Sequence, residues 1–323
     1  MRPLFSYDLG EIRDIYSFSP FHAFFLEKLR HQQVKKALLT LFLSLFSLLP
    51  HKILLLFGYI TGNLMYFLPN SSKKITKTNL QLCFPEKNSK EISCLTKKSL
   101  VETSKVIFEL GKCWFKYRKI GVQDITKVEG FNLVEESLAK GSGVILFAPH
   151  LGNIEILLNF LAEKFNCYIP YTPAKIDALE KIMKKSREQM GANMVTTSIS
   201  GIRSMLRALK KGDVVVMASD QVPDKRSGLI CDFFGNEALT VSLISRLSKR
   251  TESSCHLVYC VRQKSGSGFK IVFEKKLDSM NKLDEQEGSN LMNRELEKCI
   301  IKFPEQYAWE YKRFKHSTFK SPY

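Results

Sequence analysis

A chain of 323 residues, 44% of them hydrophobic, is long enough for a large core and is neither disordered nor a polytopic membrane protein. Its 49 basic and 32 acidic side chains leave a net charge of +17, which favours anionic partners: nucleic acid, a phospholipid surface, phosphorylated substrates or an acidic carrier protein. The basic residues come as short scattered pairs such as Lys73-Lys74, Lys97-Lys98, Lys210-Lys211 and Lys312-Arg313, not as the single stripe of a nucleic-acid reader, so no nucleic-acid partner is expected.

In chain order, the first 36 residues read as an N-terminal extension. Asp8, Glu11, Asp14 and Glu27 lie among aromatics there, with no signal-peptide pattern. Ala37 to Leu49 and Ile53 to Leu68 are strongly apolar, with Pro50-His51-Lys52 between them. Neither half reaches the roughly 20 residues that span a bilayer. Lys35-Lys36 and Lys73-Lys74 flank the pair, and basic flanks on both sides suit a shallow hairpin with both ends cytoplasmic. A single kinked spanning helix and two core helices of a soluble domain are the other readings. The expectation is a membrane-associated segment over 37–68, followed by one enzyme domain over 69–323.

A basic helical stretch follows, broken at Phe84-Pro85-Glu86, with a second helix from Lys90 to Tyr117. From Val128 strands and helices alternate. Strands are expected at Val144–Pro149, Cys167–Pro173 and Val214–Ala218. Helices are expected at 154–165, 177–190, 202–211 and 239–249. A hairpin over 256–262 and 269–275 turns around 265–268, and a final helix covers 289–301. The pattern predicts an α/β fold: a mixed central sheet flanked by helices, with the apolar helical segment before it.

Eight cysteines are scattered without a CxxC pair, which argues against a zinc ribbon or a thioredoxin-type site and for small apolar core residues in a reducing compartment. There is no GxSxG elbow, no GxxxxGK[ST] or GxGxxG loop and no HExxH. No metal or cofactor is expected.

The chemistry concentrates in Pro149-His150-Leu151-Gly152-Asn153-Ile154-Glu155. A buried strand ends, a histidine appears, a glycine permits a tight turn and a helix starts, which places His150 on the crevice where α/β proteins bind ligands. With the chain turning at Gly152, Glu155 can fold back and hold one imidazole nitrogen, leaving the other to take a proton from a substrate hydroxyl. A satisfied histidine beside a helix-start carboxylate is the plainer alternative. The remaining histidines, His22, His31, His51, His256 and His316, have no acid in a comparable turn. Asp220-Gln221 also follows a buried strand and opens on the same crevice, where Asp220 can position the acceptor or a basic partner. Arg187, Lys225 and Arg226 are candidates for phosphate groups of a substrate, since guanidinium binds phosphate in a fork. Glu109, Trp309 and Arg313 read as structural.

His150 and Glu155 match the HxxxxD/E motif of the glycerolipid acyltransferase superfamily. The wider context resembles the late acyltransferases of lipopolysaccharide assembly, the lipid A lauroyl/myristoyl acyltransferase family. Four segments carry the likeness: 79–86 (NLQLCFPE), 147–155 (FAPHLGNIE), Ser219-Asp220-Gln221 with Phe233-Phe234-Gly235, and 304–309 (PEQYAW) with Arg313-Phe314-Lys315. It spans about residues 37 to 315. The resemblance implies an acyl-acyl carrier protein donor, an anionic lipid A precursor as acceptor, and a place on the cytoplasmic side of a bacterial inner membrane. Two positions depart from the pattern: Tyr171-Thr172-Pro173 where the family has Tyr-Arg-Pro, and Lys312 where arginine is common. By the resemblance, Arg187 takes over part of the missing arginine's role. The alternatives are a related acyltransferase with another lipid acceptor (a lysophospholipid, a mannolipid or an amino-acid lipid) and a catalytically inactive membrane-bound scaffold.

Overall fold

The computed structural model describes residues 37–115, 124–172, 177–263, 268–316 and 321–323. The N-terminal extension, Pro173 and the turn at 265–267 lie outside the described residues. The chain divides into two units, residues 1–42 and 43–323. Of the first, the described part is the opening of helix α1 (Ala37–Leu48). The rest of this section concerns the second unit.

Its centre is a seven-stranded sheet in the order β1-β9-β8-β2-β5-β3-β4. The strands are β1 (Ile125–Glu129), β2 (Val144–Ala148), β3 (Cys167–Tyr171), β4 (Asn193–Thr196), β5 (Val214–Ala218), β8 (Ser254–Arg262) and β9 (Phe269–Phe273). The five strands from β8 to β4 run parallel; β9 pairs antiparallel with β8, and β1 runs parallel to β9. The sheet is mixed and flanked by helices, as the alternating pattern predicts. Strand β2 is buried at every position, which is why it reads as an unbroken apolar run and not as an alternation.

Right-handed crossovers dictate the layers. The chain moves outward through α6 (Ile154–Lys164) and α7 (Asp177–Gln189), then reverses and returns through α8 (Ile199–Lys210) and α9 (Leu243–Thr251). The two pairs therefore cover opposite faces of the sheet. Helix α4 (Ser89–Phe115) packs on the α6/α7 side, α5 (Phe131–Leu138) contacts β9, and α10 (Glu285–Lys302) packs beside α9. A capping box at Asp284 and Glu287 starts α10 four residues earlier than the sequence pattern suggests.

One expectation needs correction, and two short strands were not foreseen. The expected helix over 239–249 begins as strand: Leu239–Val241 belong to β7 (Asn236–Val241), which pairs with β6 (Gly228–Phe233) in a separate hairpin. The two turn residues, Phe234 and Gly235, both have positive φ (54° and 71°), the turn that matches the natural twist of a two-residue hairpin. β1 and β4 are five and four residues long, too short to stand out by periodicity.

The apolar segment forms α1 and α2 (His51–Phe67), with α3 (Ser71–Cys83) following at an 81° bend. Among the described residues no single helix is long and apolar enough to cross a membrane, although α2 and α3 pass that test as a bent pair. Helix α2 does not behave as a core helix. It approaches α4 through glycine: a Cβ on Gly58 would lie 2.5 Å from the Lys105 Cα, and one on Gly62 would lie 2.4 Å from the Val101 Cα. Its other faces show Leu56, Phe57, Tyr59, Ile60, Leu64 and Phe67 to the outside. Within this unit most of the exposed large apolar side chains described lie on α2 and on the part of α1 from residue 43, a concentration uncommon on a soluble surface.

Candidate active site

His150 sits two residues beyond β2, and Asp220 two residues beyond its neighbour β5, so the parallel register of these strands brings both to the same sheet edge. The Asp220 carboxylate accepts twice from His150, from the backbone N–H at 2.9 Å and from ring Nδ1 at 2.7 Å. A carboxylate can only accept here, so the Nδ1 proton faces Asp220 and Nε2 carries the lone pair. Nε2 points at the crevice: the His150 side chain keeps 29% of its surface exposed, against 3% for Asp220. The Gln221 amide stands 3.4 Å from Nε2. Burial lowers the His150 pKa, but the Asp220 charge and its hydrogen bond outweigh that, and the net shift is upward. Asp220 shifts the opposite way: burial raises its pKa, but the His150 charge together with the hydrogen bonds from the His150 ring and backbone N–H lowers it further.

Glu155 does not take the place that the turn geometry suggested. Its carboxylate receives the fork of Arg187, with Nη2 at 2.5 Å and Nε at 3.2 Å, and Asp220 holds the ring instead. The reason lies in the helix cap. Asn153 caps α6 by accepting from the Ile156 N–H at 3.2 Å, so Glu155 lies inside the first turn and faces α7, where Arg187 lies. Burial raises the Glu155 pKa, yet Arg187 lowers it further and keeps the carboxylate ionised. Its charge still favours the protonated ring of His150, and Arg187 opposes it. The Arg187 fork is thereby engaged within the protein and not presented to a sugar phosphate.

The other expected substrate cations are not gathered here. Lys225 and Arg226 lie exposed on the loop after Asp220, and Arg226 pairs loosely with Asp224 at 3.8 Å. Thr172, at the end of β3, is exposed.

The C-terminal segment clamps the catalytic turn. The Ala308 N–H donates to the His150 carbonyl at 3.0 Å, and the Gly152 N–H donates to the Gln306 carbonyl at 2.8 Å. Asn79 in turn donates to the Trp309 and Tyr311 carbonyls, and the Val222 N–H donates to the Tyr311 hydroxyl. The four segments singled out in the sequence thus meet around one histidine. Gly152 has φ of 60°, and a Cβ there would lie 2.0 Å from the Cys260 carbonyl oxygen. Gly152→Ala is therefore expected to cost about 3 kcal/mol or more in stability and to displace the His150 ring. Chemical denaturation of the variant checks the first, and its transfer rate the second; a wild-type unfolding midpoint would refute it.

Glu109, which the sequence marks as structural, anchors a second buried group behind the site, and its partners are not evident from the sequence. Glu109 on α4 receives both guanidinium nitrogens of Arg262 at 2.6 and 2.8 Å. It also accepts from Asn153 at 2.9 Å and meets His51 Nε2 at 2.6 Å. Burial would raise the Glu109 pKa, but Arg262 and His51 together override it and bring it to about 2. The signal was present as carboxylates seven residues apart on one helix, Glu102 and Glu109, both of which bind Arg262.

The site is thus a histidine at the end of a buried parallel strand in an α/β fold, held by a buried carboxylate at Nδ1 and met by the Gln221 amide at Nε2. A family model described as bacterial lipid A biosynthesis acyltransferase matches residues 23–316. The chain is 26% identical over 272 residues to the lipid A biosynthesis lauroyltransferase of Escherichia coli (strain K12), covering 83% of this chain and 87% of that protein. It is 25% identical to the palmitoleoyltransferase of the same strain, over 83% and 86% of the two chains. A lipid A biosynthesis acyltransferase of Haemophilus influenzae is 26% identical over 83% of each. The chain belongs to the bacterial lipid A biosynthesis acyltransferase family, and by that membership it is an acyltransferase.

Proposed function

We propose that this protein transfers a fatty acyl group from an acyl-acyl carrier protein to a hydroxyl of a lipid A precursor. The observation that carries the mechanism is the His150–Asp220 pair with Nε2 open to the crevice. Nε2 takes the proton of the acceptor hydroxyl while Asp220 stabilises the imidazolium that forms. The alkoxide attacks the thioester carbonyl, the C–S bond breaks, and the imidazolium returns the proton to the departing thiolate. Among the described residues the ring's side-chain hydrogen bonds run to Asp220 and Gln221, which fits direct transfer without a protein-bound acyl intermediate. Glu155 and Arg187 hold the start of α6 against α7 and fix the floor below the ring. The decisive assay is radiolabelled acyl transfer from acyl carrier protein to candidate lipid acceptors by the purified protein. Transfer to a lipid A precursor supports the reading, and exclusive use of another lipid overturns the acceptor. Thr172, standing where the family resemblance leads one to expect arginine, makes a different anionic lipid the second acceptor to test.

The location proposed is the cytoplasmic side of the bacterial inner membrane, with the exposed apolar faces of α1 and α2 set into the bilayer. Burying those side chains in lipid removes apolar surface from water, and salt does not screen that contribution. The protein is therefore expected to stay with membranes in about 1 M salt and to leave them only in detergent. Quantitative release by salt alone would show that the attachment is electrostatic and the hairpin reading wrong.

A further inference from the structure

On the face of the sheet opposite α4, a cavity of about 720 Å³ opens between α8 and α9. Arg203, Arg207, Lys210 and Arg250 line it, with the hydroxyl residues Ser200 and Ser204, and no acidic side chain does. All four cations are exposed. The one polar contact of the group is Arg207 Nη2 to the Ser204 hydroxyl at 3.4 Å, and none of the four forms an ion pair among the described residues. Lys184, Arg246 and Lys298, by contrast, each have a carboxylate partner; what sets the four apart is that they surround one concavity. A group of like charges left unneutralised around one concavity repels itself and costs stability, so it points to an anionic partner.

Topology says which partner. Helix α8 begins just after β4, so its first turn lies at the strand ends where His150 and Asp220 stand. From there α8 runs away from the crevice for about 17 Å. Its cations follow one side: Arg203, Arg207 and Lys210 are spaced four and three residues apart. At its crevice end Ile199 is 72% exposed, more than any other large apolar side chain described, including those of α2. An apolar contact point beside a row of arginines is the composition of a protein interface, where arginine is enriched and flanks an apolar centre. The face is not the membrane side, because α2 packs on α4 across the sheet and carries its exposed apolar side chains there.

We infer that the α8–α9 surface is the docking site of the acidic carrier protein that delivers the acyl thioester. The inference rests on the carrier-borne donor proposed above. A carrier seated along α8 places its acidic helix against Arg203, Arg207 and Arg250, and the end of α8 at Ile199 directs the thioester arm over the strand ends toward His150.

The test uses the full-length protein in detergent, purified acyl carrier protein charged with a fatty acid, and the triple variant Arg203→Glu, Arg207→Glu, Arg250→Glu. The KM for the acylated carrier is expected to rise about 10- to 100-fold at low salt, with kcat within about two-fold of wild type. The salt dependence of KM should disappear with it. With an acyl-pantetheine thioester that lacks the carrier, kcat/KM should match wild type. If the triple variant does not fold, Arg207→Glu alone is expected to raise the carrier KM by about 5-fold. An unchanged carrier KM overturns the docking site while leaving the donor reading intact. A wild-type enzyme that ignores the acylated carrier but uses the free thioester overturns the donor reading, and the docking site with it. Loss of binding to anionic phospholipid vesicles, with the carrier KM unchanged, would assign the surface to lipid and refute the proposal.

Discussion

His150→Ala is expected to lower acyl transfer by about 10²–10⁴-fold, the usual worth of a general base. No other group described at the strand end presents a free basic nitrogen to the crevice. The informative companion is Asp220→Asn. An asparagine amide at that place can donate to Nδ1, which moves the ring proton to Nε2 and leaves the catalytic nitrogen without a lone pair. The loss should therefore approach that of removing the ring, although one atom has changed. The pair acts as a unit, so the double variant should be hardly worse than His150→Ala alone. The pH profile adds a signature that a purely structural role would not give. A base works only when neutral, and the Asp220 charge, against the opposing effect of burial, raises the His150 pKa. The kcat/KM should accordingly fall as pH drops through a point above the ordinary histidine value of about 6.5. In Asp220→Asn the residual activity should lose its acid limb at lower pH. Steady-state transfer assays between about pH 5 and 9 measure both. Near wild-type rates in Asp220→Asn would show that Glu155, and not Asp220, supports the ring during turnover.

The second large effect is expected at Glu109. Removing this carboxylate strips a buried guanidinium of its fork and leaves Arg262, 7% exposed, with only the Glu102 contact at Nε among its described acidic partners. Breaking a buried pair from one side costs about 3–5 kcal/mol. Glu109→Ala should lower unfolding stability by that amount in denaturant titrations. It should also loosen the α6 cap, because Asn153 loses an acceptor while still holding the Ile156 N–H. Activity should fall with it. Replacing both partners by apolar residues of similar size, Glu109→Leu with Arg262→Met, should recover much of the stability, since desolvation of the pair is then avoided. A double variant as unstable as Glu109→Ala would refute that account. The pH dependence has a definite sign. The Glu109 pKa is lowered to about 2, so its contribution is complete above the unfolded value near 4.5 and is lost as pH falls from there toward 2. The wild type should lose stability across that acid range more steeply than Glu109→Gln.

Several features of this protein are legible in the chain itself. The alternation of short apolar runs with amphipathic helices is local, and it gives the α/β class and the strands β2, β3 and β5 without a structure. The Gly141-Ser142-Gly143 turn, the apolar run to Ala148 and the following Gly152 place His150 at a strand end, because each requirement is met by neighbours in sequence. The family likeness rests on the same segments, and the match over residues 23–316 bears it out. Seven of the eight cysteines are buried, as their scatter suggests for small apolar residues.

Other features were decided only in three dimensions. The ring's partner is 70 residues away in sequence, and what joins the two is the in-register pairing of β2 with β5, which no local pattern encodes. Glu155 was the nearer acid, but the Asn153 cap fixed its direction and Arg187 on another helix claimed it. The β6/β7 hairpin overrode a helical pattern at Leu239 because pairing with Ile230 satisfied that backbone first. Glu109 and Arg262 lie 153 residues apart, and a buried ion pair exists only once both elements are packed. Local periodicity fixes the elements because it depends on neighbouring side chains and water. The assignment of charges to partners depends on which strands become adjacent, and that is settled by the burial of the whole sheet.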